Sequence, residues 1–189
     1  MAKNVFMRTE KKYMVNTSQR SELLLRSRGL LIPDAYGSYT LCNIYFDTDS
    51  FDLIRASLEK PVFKEKLRMR SYGVPKADTN VFFEIKRKFD GVVGKRRIDI
   101  PLCELRDYLE HGKAPAQDSQ IFREIDYFMN FYHPKPKVFL AYDRTAFCSP
   151  RHPGFRVTFD NGIRSRTDDL YLEHGDCGEY LLDDVRYRD

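Results

Sequence analysis

The sequence predicts an α+β fold: an antiparallel β-barrel with a charged bore and helices packed on its outside. The first observation behind this prediction is the stretch Phe63–Gly73, in which Lys64, Lys66, Arg68 and Arg70 occupy alternate positions. Because successive side chains of a strand point to opposite faces, these four cations would share one face. A single strand of this kind is also typical of a solvated edge strand protected by its lysines.

The second observation is that the same alternation recurs along the chain. Residues 81–89, 95–100 and 155–160 each alternate apolar with charged side chains, and most of the charged ones are basic. On an exterior surface, acidic residues would be interspersed for solubility. The acidic residues on these strands are too few to balance the cations, which favours a barrel whose charged faces point inward under an apolar exterior.

The first half of the chain is predicted to hold mainly strands. Residues 5–15 and 39–47 are rich in aromatic, apolar and alternating residues and are predicted strands. Between them, Asn16 or Thr17 is expected to cap a helix that Gly29 closes. A short helix is predicted over residues 51–58, before the strand Phe63–Gly73. The strands 81–89 and 94–101 form a predicted hairpin around Asp90-Gly91.

The second half adds the helices that cover the barrel. A helix is predicted over residues 102–111, ending at Gly112, and another is capped by Asp118 or Ser119 and runs to Tyr132. The second helix carries an apolar stripe at helical spacing, which is typical of a core-facing helix. Strands are predicted over residues 137–147 and 155–160, followed by a weaker hairpin or loop around residues 163–166 and 171–173.

Composition limits the classes of function. The 189 residues suffice for one sizeable domain, and the 42% hydrophobic content supports a real core. The net charge is only +4, so affinity for a polyanion has to come from the placement of charge.

The four cysteines lack C-x-x-C spacing and no signal peptide or long apolar run is present, which predicts a reduced, cytoplasmic protein. Zinc-finger, H-E-x-x-H and EF-hand patterns are absent, which disfavours a preformed transition-metal site.

A bore lined by cations predicts an anionic ligand. Two cations about 4 Å apart repel by roughly 4 kcal/mol at an effective dielectric near 20, so an empty bore would be destabilised. Phosphate chains suit such a bore, because arginine engages their oxygens in a bidentate way and lysine binds as a point charge. Glu10, Glu84 or Asp160 could hold Mg²⁺ or Mn²⁺ against the phosphates. For Glu10 and Glu84, a role as internal counter-ions stays equally open.

Seven short motifs together resemble a known family. They are R-T-E-K-K-Y at 8–13, Y-F-D at 45–47, K-L-R-M-R-S-Y-G at 66–73, F-E-I-K-R-K at 83–88, K-R-R at 95–97, Y-D-R-T-A-F at 142–147 and R-V-T-F-D at 156–160. In this order they resemble the VTC domain, the polyphosphate polymerase branch of the triphosphate tunnel metalloenzymes. The resemblance implies an eight-stranded antiparallel tunnel that binds a nucleoside triphosphate, with ATP favoured, and moves its γ-phosphate onto a growing polyphosphate chain.

The resemblance also implies roles for individual residues, for each of which a solvated strand charge is the alternative. The expected catalytic residues are Lys12, Arg68, Arg70, Lys86 and Arg144. The expected substrate-binding residues are Arg8, Lys66, Lys88, Lys95, Arg97, Tyr142 and Arg156. The candidate ligands of the divalent cation, Mn²⁺ or Mg²⁺, are Glu10, Glu84 and Asp160.

Two departures from the family pattern bear on activity. R-T-E-K-K stands where many tunnel enzymes have E-x-E-x-K, which puts Arg8 in place of a carboxylate and favours the polymerase branch. The family continues with a strand bearing E-x-K, whose Glu holds the catalytic metal, and a terminal helix. Because this chain ends at Asp189, residues 1–189 are expected to form a single, C-terminally incomplete domain. Binding could then survive without turnover, and the open barrel edges would invite another chain.

Several functions therefore stay open at the level of sequence. The first is the polymerase, and the second is a non-catalytic module that binds polyphosphate, nucleotide or inositol phosphates. Triphosphate hydrolysis or adenylate cyclisation is less favoured because carboxylates are few. Nucleic acid is not expected, because the aromatic residues that alternate with the cations are predicted to lie on the opposite face. A membrane-protein partner and an oligomer formed through the open barrel edges remain alternatives.

Overall fold

The computed structural model describes residues 5–7 and 10–181. The strands are β1 (Val5–Met7), β2 (Ile32–Asp47), β3 (Phe63–Tyr72), β4 (Asn80–Phe89), β5 (Val92–Pro101), β6 (Lys135–Cys148), β7 (Arg156–Arg166) and β8 (Glu179–Tyr180). The helices are α1 (Thr17–Arg26), α2 (Asp52–Leu58), α3 (Leu102–His111) and α4 (Gln120–Tyr132), with a 3₁₀ turn at Leu172–His174. All eight strands belong to one sheet in the order β1-β5-β4-β3-β2-β6-β7-β8, and every neighbouring pair is antiparallel.

The helix ends follow the capping residues in the sequence. The side chain of Asn16 accepts a hydrogen bond from the backbone N–H of Gln19, and the Gln19 side chain accepts one from the Asn16 N–H, which is a reciprocal capping box. Ser119 caps α4 by accepting from the Phe122 N–H. Gly112 follows α3 with a φ of 70°, a left-handed conformation that favours glycine.

The hydrophobic core lies between one face of the sheet and helices α2, α3 and α4. The apolar alternation of the strands supplies one side of it, including Leu67, Phe83 and Ile98. The stripe on α4 supplies much of the other side, with Phe122, Ile125 and Phe128 buried. An ion network at the margin ties α4 to the sheet and consists of Arg87 with Glu65 and Glu124, and Arg96 with Glu124. The predicted position of α4 on the outer wall is confirmed.

The structure corrects two predicted strands. Residues 10–15, predicted to continue the first strand, form no strand, and residues 10–14 are exposed and pair with none of the described strands. The predicted weak hairpin or loop near residue 163 is instead the second half of β7. There, Gly162 has a φ of 58° and the register shifts opposite Tyr142, so Gly162 and Ile163 form a bulge inside the strand.

The sheet is antiparallel and wraps around its charged face, but its edges do not meet. Among the described residues, β1 pairs only with β5 and β8 pairs only with β7. The charged faces therefore line a groove, and the closed bore expected from the strand pattern is not seen in residues 5–7 and 10–181. No helix in this part of the chain is both long and apolar enough to cross a membrane.

Candidate functional site

The face of the sheet opposite the core carries the predicted cations. We call this surface the basic groove and define it by the side chains that β2 to β6 present on this face. Its centre consists of Lys66, Arg68 and Arg70 on β3, Glu84 and Lys86 on β4, and Lys95 and Arg97 on β5. Strand alternation places these side chains on one face and the core residues on the other. The predicted convergence of charged faces from several strands is confirmed.

A row of three lysines crosses the groove. In the strand register, Lys66 of β3 lies directly opposite Lys86 of β4, which in turn lies opposite Lys95 of β5. Adjacent strands are roughly 4.8 Å apart. Like charges placed directly opposite each other destabilise a sheet. Glu10, at Lys86, and Glu84, at Lys95, offset part of this repulsion, and a bound anion would offset more of it.

The neighbouring row contains the most enclosed carboxylate of the groove. Glu84 lies between Arg68 and Arg97 in the register and is only 1% exposed. Its Oε2 accepts from Arg68 Nε at 2.6 Å, and its Oε1 lies 2.6 Å from Lys95 Nζ. Arg97 Nη1 is 3.9 Å from the same Oε1. Among the described residues, this one carboxylate thus lies within 4 Å of three cations.

The pKa values of Glu84 and Lys95 reflect this crowding. Burial alone would raise the pKa of Glu84, but the charges of Arg68, Arg70 and Lys95 outweigh it and hold the pKa at about 2. Burial lowers the pKa of Lys95 to about 8, although Glu84 opposes the shift. Glu84 is therefore ionised at neutral pH, and Lys95 loses its proton on the mildly alkaline side.

Arg70 is held by neutral partners. Its Nε donates to Asn43 Oδ1 at 2.7 Å, and its Nη2 donates to the Tyr142 hydroxyl at 3.0 Å. Asn43, in turn, donates from Nδ2 to the Leu140 carbonyl. Burial, followed by the charge of Arg68, lowers the pKa of Arg70. Because no carboxylate among residues 10–181 bonds to it, Arg70 is the arginine of the groove best placed to bind an anionic ligand.

Sequence reasoning missed two residues that orient the arginines, Asn43 and Tyr45. The Tyr45 hydroxyl accepts from Arg68 Nη1 at 3.0 Å. Burial would raise the pKa of Tyr45, but the charge and hydrogen bond of Arg68 lower it. Both residues lie on the groove side of β2, opposite Arg70 and Arg68. The alternation of residues 42–47, C-N-I-Y-F-D, was the sequence feature that could have placed both side chains in the groove.

Asp47, the last residue of the Y-F-D motif, has a structural role. Its carboxylate accepts hydrogen bonds from the backbone N–H groups of Leu53 and Ile54 in the first turn of α2.

One end of the groove is a lysine pocket. A cavity of ≈ 330 Å³ is lined by Glu10, Lys64, Lys66, Lys86, Lys88, Gly91 and Val93. Lys86 Nζ lies 3.4 Å from Glu10 Oε2, and Lys64 donates to the Ser57 carbonyl. Burial lowers the pKa of Lys66, and the nearby charges of Lys64, Lys86 and Lys12 lower it further. Lys12 is exposed, but its charge reaches this pocket.

The other predicted cations lie on the β6 and β7 side. Arg144 forms a bidentate pair with Asp160, with contacts of 2.6 and 2.7 Å. Arg156 donates to Asp34 Oδ2 at 2.7 Å and to the Tyr39 hydroxyl at 3.3 Å. These two arginines are paired with carboxylates and are less available than Arg70. Arg8 lies outside the described residues.

The candidate metal ligands do not come together. Glu10 pairs with Lys86, Glu84 with Arg68 and Lys95, and Asp160 with Arg144. Within residues 5–7 and 10–181, no group of three or more His, Cys, Asp or Glu side chains could hold a metal ion. These side chains do not fit a metal site built from protein ligands alone. Their contacts favour the interpretation of Glu10, Glu84 and Asp160 as internal counter-ions.

Phe83, which alternates with the cations of β4, lies on the core face as predicted, but other aromatic residues lie on the groove face. Tyr45 contacts Arg68, and Tyr39, Tyr72 and Phe82 lie on the same face as the basic residues. The Arg97 guanidinium stacks over the Phe82 ring, 4.2 Å from its centroid. Aromatic rings are therefore part of the groove.

An antiparallel sheet that wraps a basic face under external helices is a tunnel-type fold. The structure is similar to that of a protein assigned as an adenylate cyclase from Bacillus halodurans, with a TM-score of 0.50 and 14% sequence identity. That match covers 86% of this chain and 72% of the other, and it supports the fold alone.

The family model of the VTC domain matches residues 7–187, and the chain belongs to this family. A curated relative is the Vacuolar transporter chaperone complex subunit 4 of Schizosaccharomyces pombe, which is 26% identical. The match covers 84% of this chain but only 26% of that protein. The family and fold implied by the sequence motifs are confirmed.

Proposed function

We propose that the basic groove binds a linear phosphate chain, and that the protein transfers the γ-phosphate of a nucleoside triphosphate, with ATP favoured, to a growing polyphosphate. The observation that carries the proposal is the row of directly opposed lysines, Lys66, Lys86 and Lys95, beside a row in which Glu84 serves three cations. A bound polyanion removes the repulsion that this arrangement creates. The VTC family membership supports the choice of polyphosphate as that anion.

The length of the groove suits a chain rather than a single phosphate. The cations Lys64, Lys66, Arg68 and Arg70 follow one another at alternate positions of β3. At about 3.3 Å per residue, their column spans roughly 20 Å. A column of this length accommodates a triphosphate together with further phosphate units. Phosphoryl transfer depends mainly on positioning and charge neutralisation, which a column of fixed cations provides.

The arginines and the lysines of the groove would bind different parts of the substrate. Arg68 and Arg70 are fixed by Tyr45, Glu84 and Asn43, so their guanidinium groups are preoriented to hold the nucleotide phosphates. The lysine pocket offers point charges on flexible stems, which allows a polyphosphate chain to shift as it grows. When bound, a divalent cation, Mn²⁺ or Mg²⁺, would neutralise charge on the transferred group. The described carboxylates form no cluster for this ion.

The polymerase proposal is tested by incubating the protein with ATP and either Mn²⁺ or Mg²⁺ and measuring phosphate polymer and nucleotide cleavage. We expect polymer to form, and to fall at least tenfold in an Arg68→Met, Arg70→Met double variant. An Arg123→Met variant is a control, because Arg123 lies on α4 in an exposed pair with Asp118. Failure to form polymer or cleave nucleotide with either metal would overturn the enzymatic proposal.

A second candidate is a binding module without turnover. It is favoured by the ion pairs of Glu10, Glu84 and Asp160, which leave no described carboxylate cluster for a catalytic metal. In this case calorimetry should show tight binding of tripolyphosphate, weakened by the Arg70→Met change, with no product from ATP. A comparison with a single-stranded oligonucleotide separates a phosphate-chain site from a nucleic-acid site, since the tighter ligand gives the larger thermal stabilisation.

A further inference from the structure

A row of aromatic rings occupies the end of the groove opposite the lysine pocket. Tyr36 and Tyr39 meet edge to face with centroids 6.5 Å apart, and Tyr39 lies 5.5 Å from Tyr72. Tyr72 in turn meets Phe82 at 5.8 Å. We call Tyr36, Tyr39, Tyr72 and Phe82 the aromatic row. The rings come from β2, β3 and β4, and each contacts the next.

The aromatic row directly continues the column of cations. Tyr72 follows Arg70 by two positions on the same face of β3, which places the two residues roughly 7 Å apart. Phe82 lies opposite Arg70 in the register, and Tyr39 lies opposite Arg144. A ligand that spans both features would therefore meet the rings first and the arginines immediately afterwards.

The rings of the aromatic row do not belong to the hydrophobic core. That core lies on the other face of the sheet, and Tyr72 is 54% exposed while Tyr36 is 79% exposed. Exposed apolar surface next to a charged groove is a feature of ligand sites, which combine flat hydrophobic contacts with a few polar groups. The ligand that suits the row has a flat apolar part joined to an anionic part.

We propose that the aromatic row stacks the base of a nucleoside triphosphate whose phosphates extend toward Arg70 and Arg68. The inference rests on the proposed phosphate-chain function and adds a nucleoside end to the same groove. Every nucleobase has a π-face, so stacking on such rings tolerates different bases. The larger ring system of a purine overlaps the row better than a pyrimidine, and we expect ATP and GTP to bind more tightly than CTP and UTP.

The position of the aromatic row also defines the orientation in which the nucleotide would lie in the groove. With the base at Tyr72, the terminal phosphate of the nucleotide points toward Lys66 and Lys86, and the polyphosphate chain lies in the lysine pocket. Inorganic tripolyphosphate contains no base, so its binding does not depend on the rings. This difference separates the nucleoside site from the phosphate site experimentally.

The test compares the affinities of ATP and tripolyphosphate in wild-type protein and in a Tyr72→Leu variant, measured by calorimetry at one salt concentration. Loss of one stacking contact weakens binding about fivefold or more. We therefore expect ATP affinity to fall at least fivefold while tripolyphosphate affinity stays within about twofold. The Tyr127→Leu variant is the matched control, because Tyr127 is an exposed tyrosine, 66% accessible, on α4. It should leave both affinities unchanged.

A second variant, Tyr72→Trp, tests the same inference by fluorescence and does not depend on the folding of Tyr72→Leu. The chain contains no tryptophan, so the Tyr72→Trp variant carries a single fluorescent reporter in the row. ATP should quench its fluorescence in a saturable way, and tripolyphosphate should not. Unchanged ATP affinity in Tyr72→Leu, or equal losses for both ligands, overturns the stacking inference and leaves the phosphate site standing. If wild-type protein binds neither ligand, the proposed function fails as well.

Discussion

The two faces of strands β3 to β5 are built from alternating residues of the same segments, yet they are stabilised in opposite ways. On the helix side, Leu67, Phe83 and Ile85 are fully buried against apolar neighbours. On the groove side, Arg68 and Lys95 converge on the single carboxylate of Glu84. The helix side is closely packed with apolar side chains, whereas on the groove side the described cations outnumber the described carboxylates.

This difference shows how stability and function are divided within one sheet. Burial of apolar area supplies free energy that does not depend on ligand, pH or salt to first order. The groove side makes stability depend on all three, because its charges interact with protons, salt and anions. Substitutions on the helix side should therefore affect folding alone, and substitutions in the groove should affect binding and pH dependence.

The largest expected effect comes from the Phe83→Ala change on the helix side. Removing a fully buried phenylalanine leaves a cavity and should lower the free energy of unfolding by about 3 to 5 kcal/mol. Urea denaturation measures this loss. The matched control is Phe89→Ala on the same strand, where the ring is 62% exposed and the loss should stay below about 1 kcal/mol. Equal losses at the two positions would contradict the assignment of the core face.

Glu84→Gln should be the most destabilising change in the groove. It leaves Arg68, Lys95 and Arg97 without their shared buried counter-charge, and we expect a loss of about 3 kcal/mol. Saturating tripolyphosphate should recover more stability in this variant than in wild type, because the anion replaces the missing charge. Glu110→Gln, at an exposed site on α3, is the control.

Acid denaturation tests the same carboxylate. The folded pKa of Glu84, about 2, lies below its ordinary value of 4.5. Its contribution to stability is therefore present above pH 4.5 and is lost as the pH falls toward 2. Wild-type protein should lose stability over this interval, and Glu84→Gln should lose about 3 kcal/mol less. Parallel pH curves for the two proteins would contradict the role of Glu84 as an ionised counter-ion.

Arg70→Met should separate binding from folding. Arg70 bonds only to neutral side chains in the described part of the chain, and its removal relieves repulsion with Arg68 while leaving Asn43 with an unused acceptor. We expect the free energy of unfolding to change by less than about 1 kcal/mol and tripolyphosphate to bind about tenfold more weakly. Calorimetric titration measures the affinity, with Arg123→Met as the control. Unaltered affinity would remove Arg70 from the site.

The smallest expected effect is a pH dependence of binding set by Lys95. Its pKa of about 8 means that its charge is present below pH 8 and is lost as the pH rises through that value. An anion binds more tightly to the charged form, so the affinity of wild-type protein for tripolyphosphate should fall roughly threefold between pH 7 and pH 9 relative to a Lys95→Arg variant. Comparing the two proteins cancels the titration of the ligand. Identical pH profiles would show that Lys95 does not face the ligand.

Much of the fold could be predicted from local patterns. Capping residues fixed the start of α1 and α4, and strict alternation placed Arg68 and Leu67 on opposite faces of β3. The failures concern features that depend on partners distant in sequence. Residues 10–15 have the composition of a strand but pair with none of the described strands, and the bulge at Gly162 is revealed only by the register of β7 with β6.

The sequence predicted which cations lie in the candidate site, but it did not predict which side chains hold them. Alternation identifies Arg70, but only the register with β2 shows that Asn43 holds it. Glu84 was equally compatible with a metal ligand and a counter-ion, and the positions of Arg68 and Lys95 favour the counter-ion. The aromatic row could not be predicted, because its rings belong to three strands and only the register brings Tyr39, Tyr72 and Phe82 together.

The central claim is that a phosphate chain completes the groove side of the sheet. The most direct test is thermal unfolding of wild-type protein over a range of tripolyphosphate concentrations at constant ionic strength, with sulfate as the reference anion. We expect a saturable rise in Tm that reaches a stabilisation of about 2.7 kcal/mol at one hundred times Kd, and a much smaller rise with sulfate. A rise no larger than that produced by sulfate would contradict it.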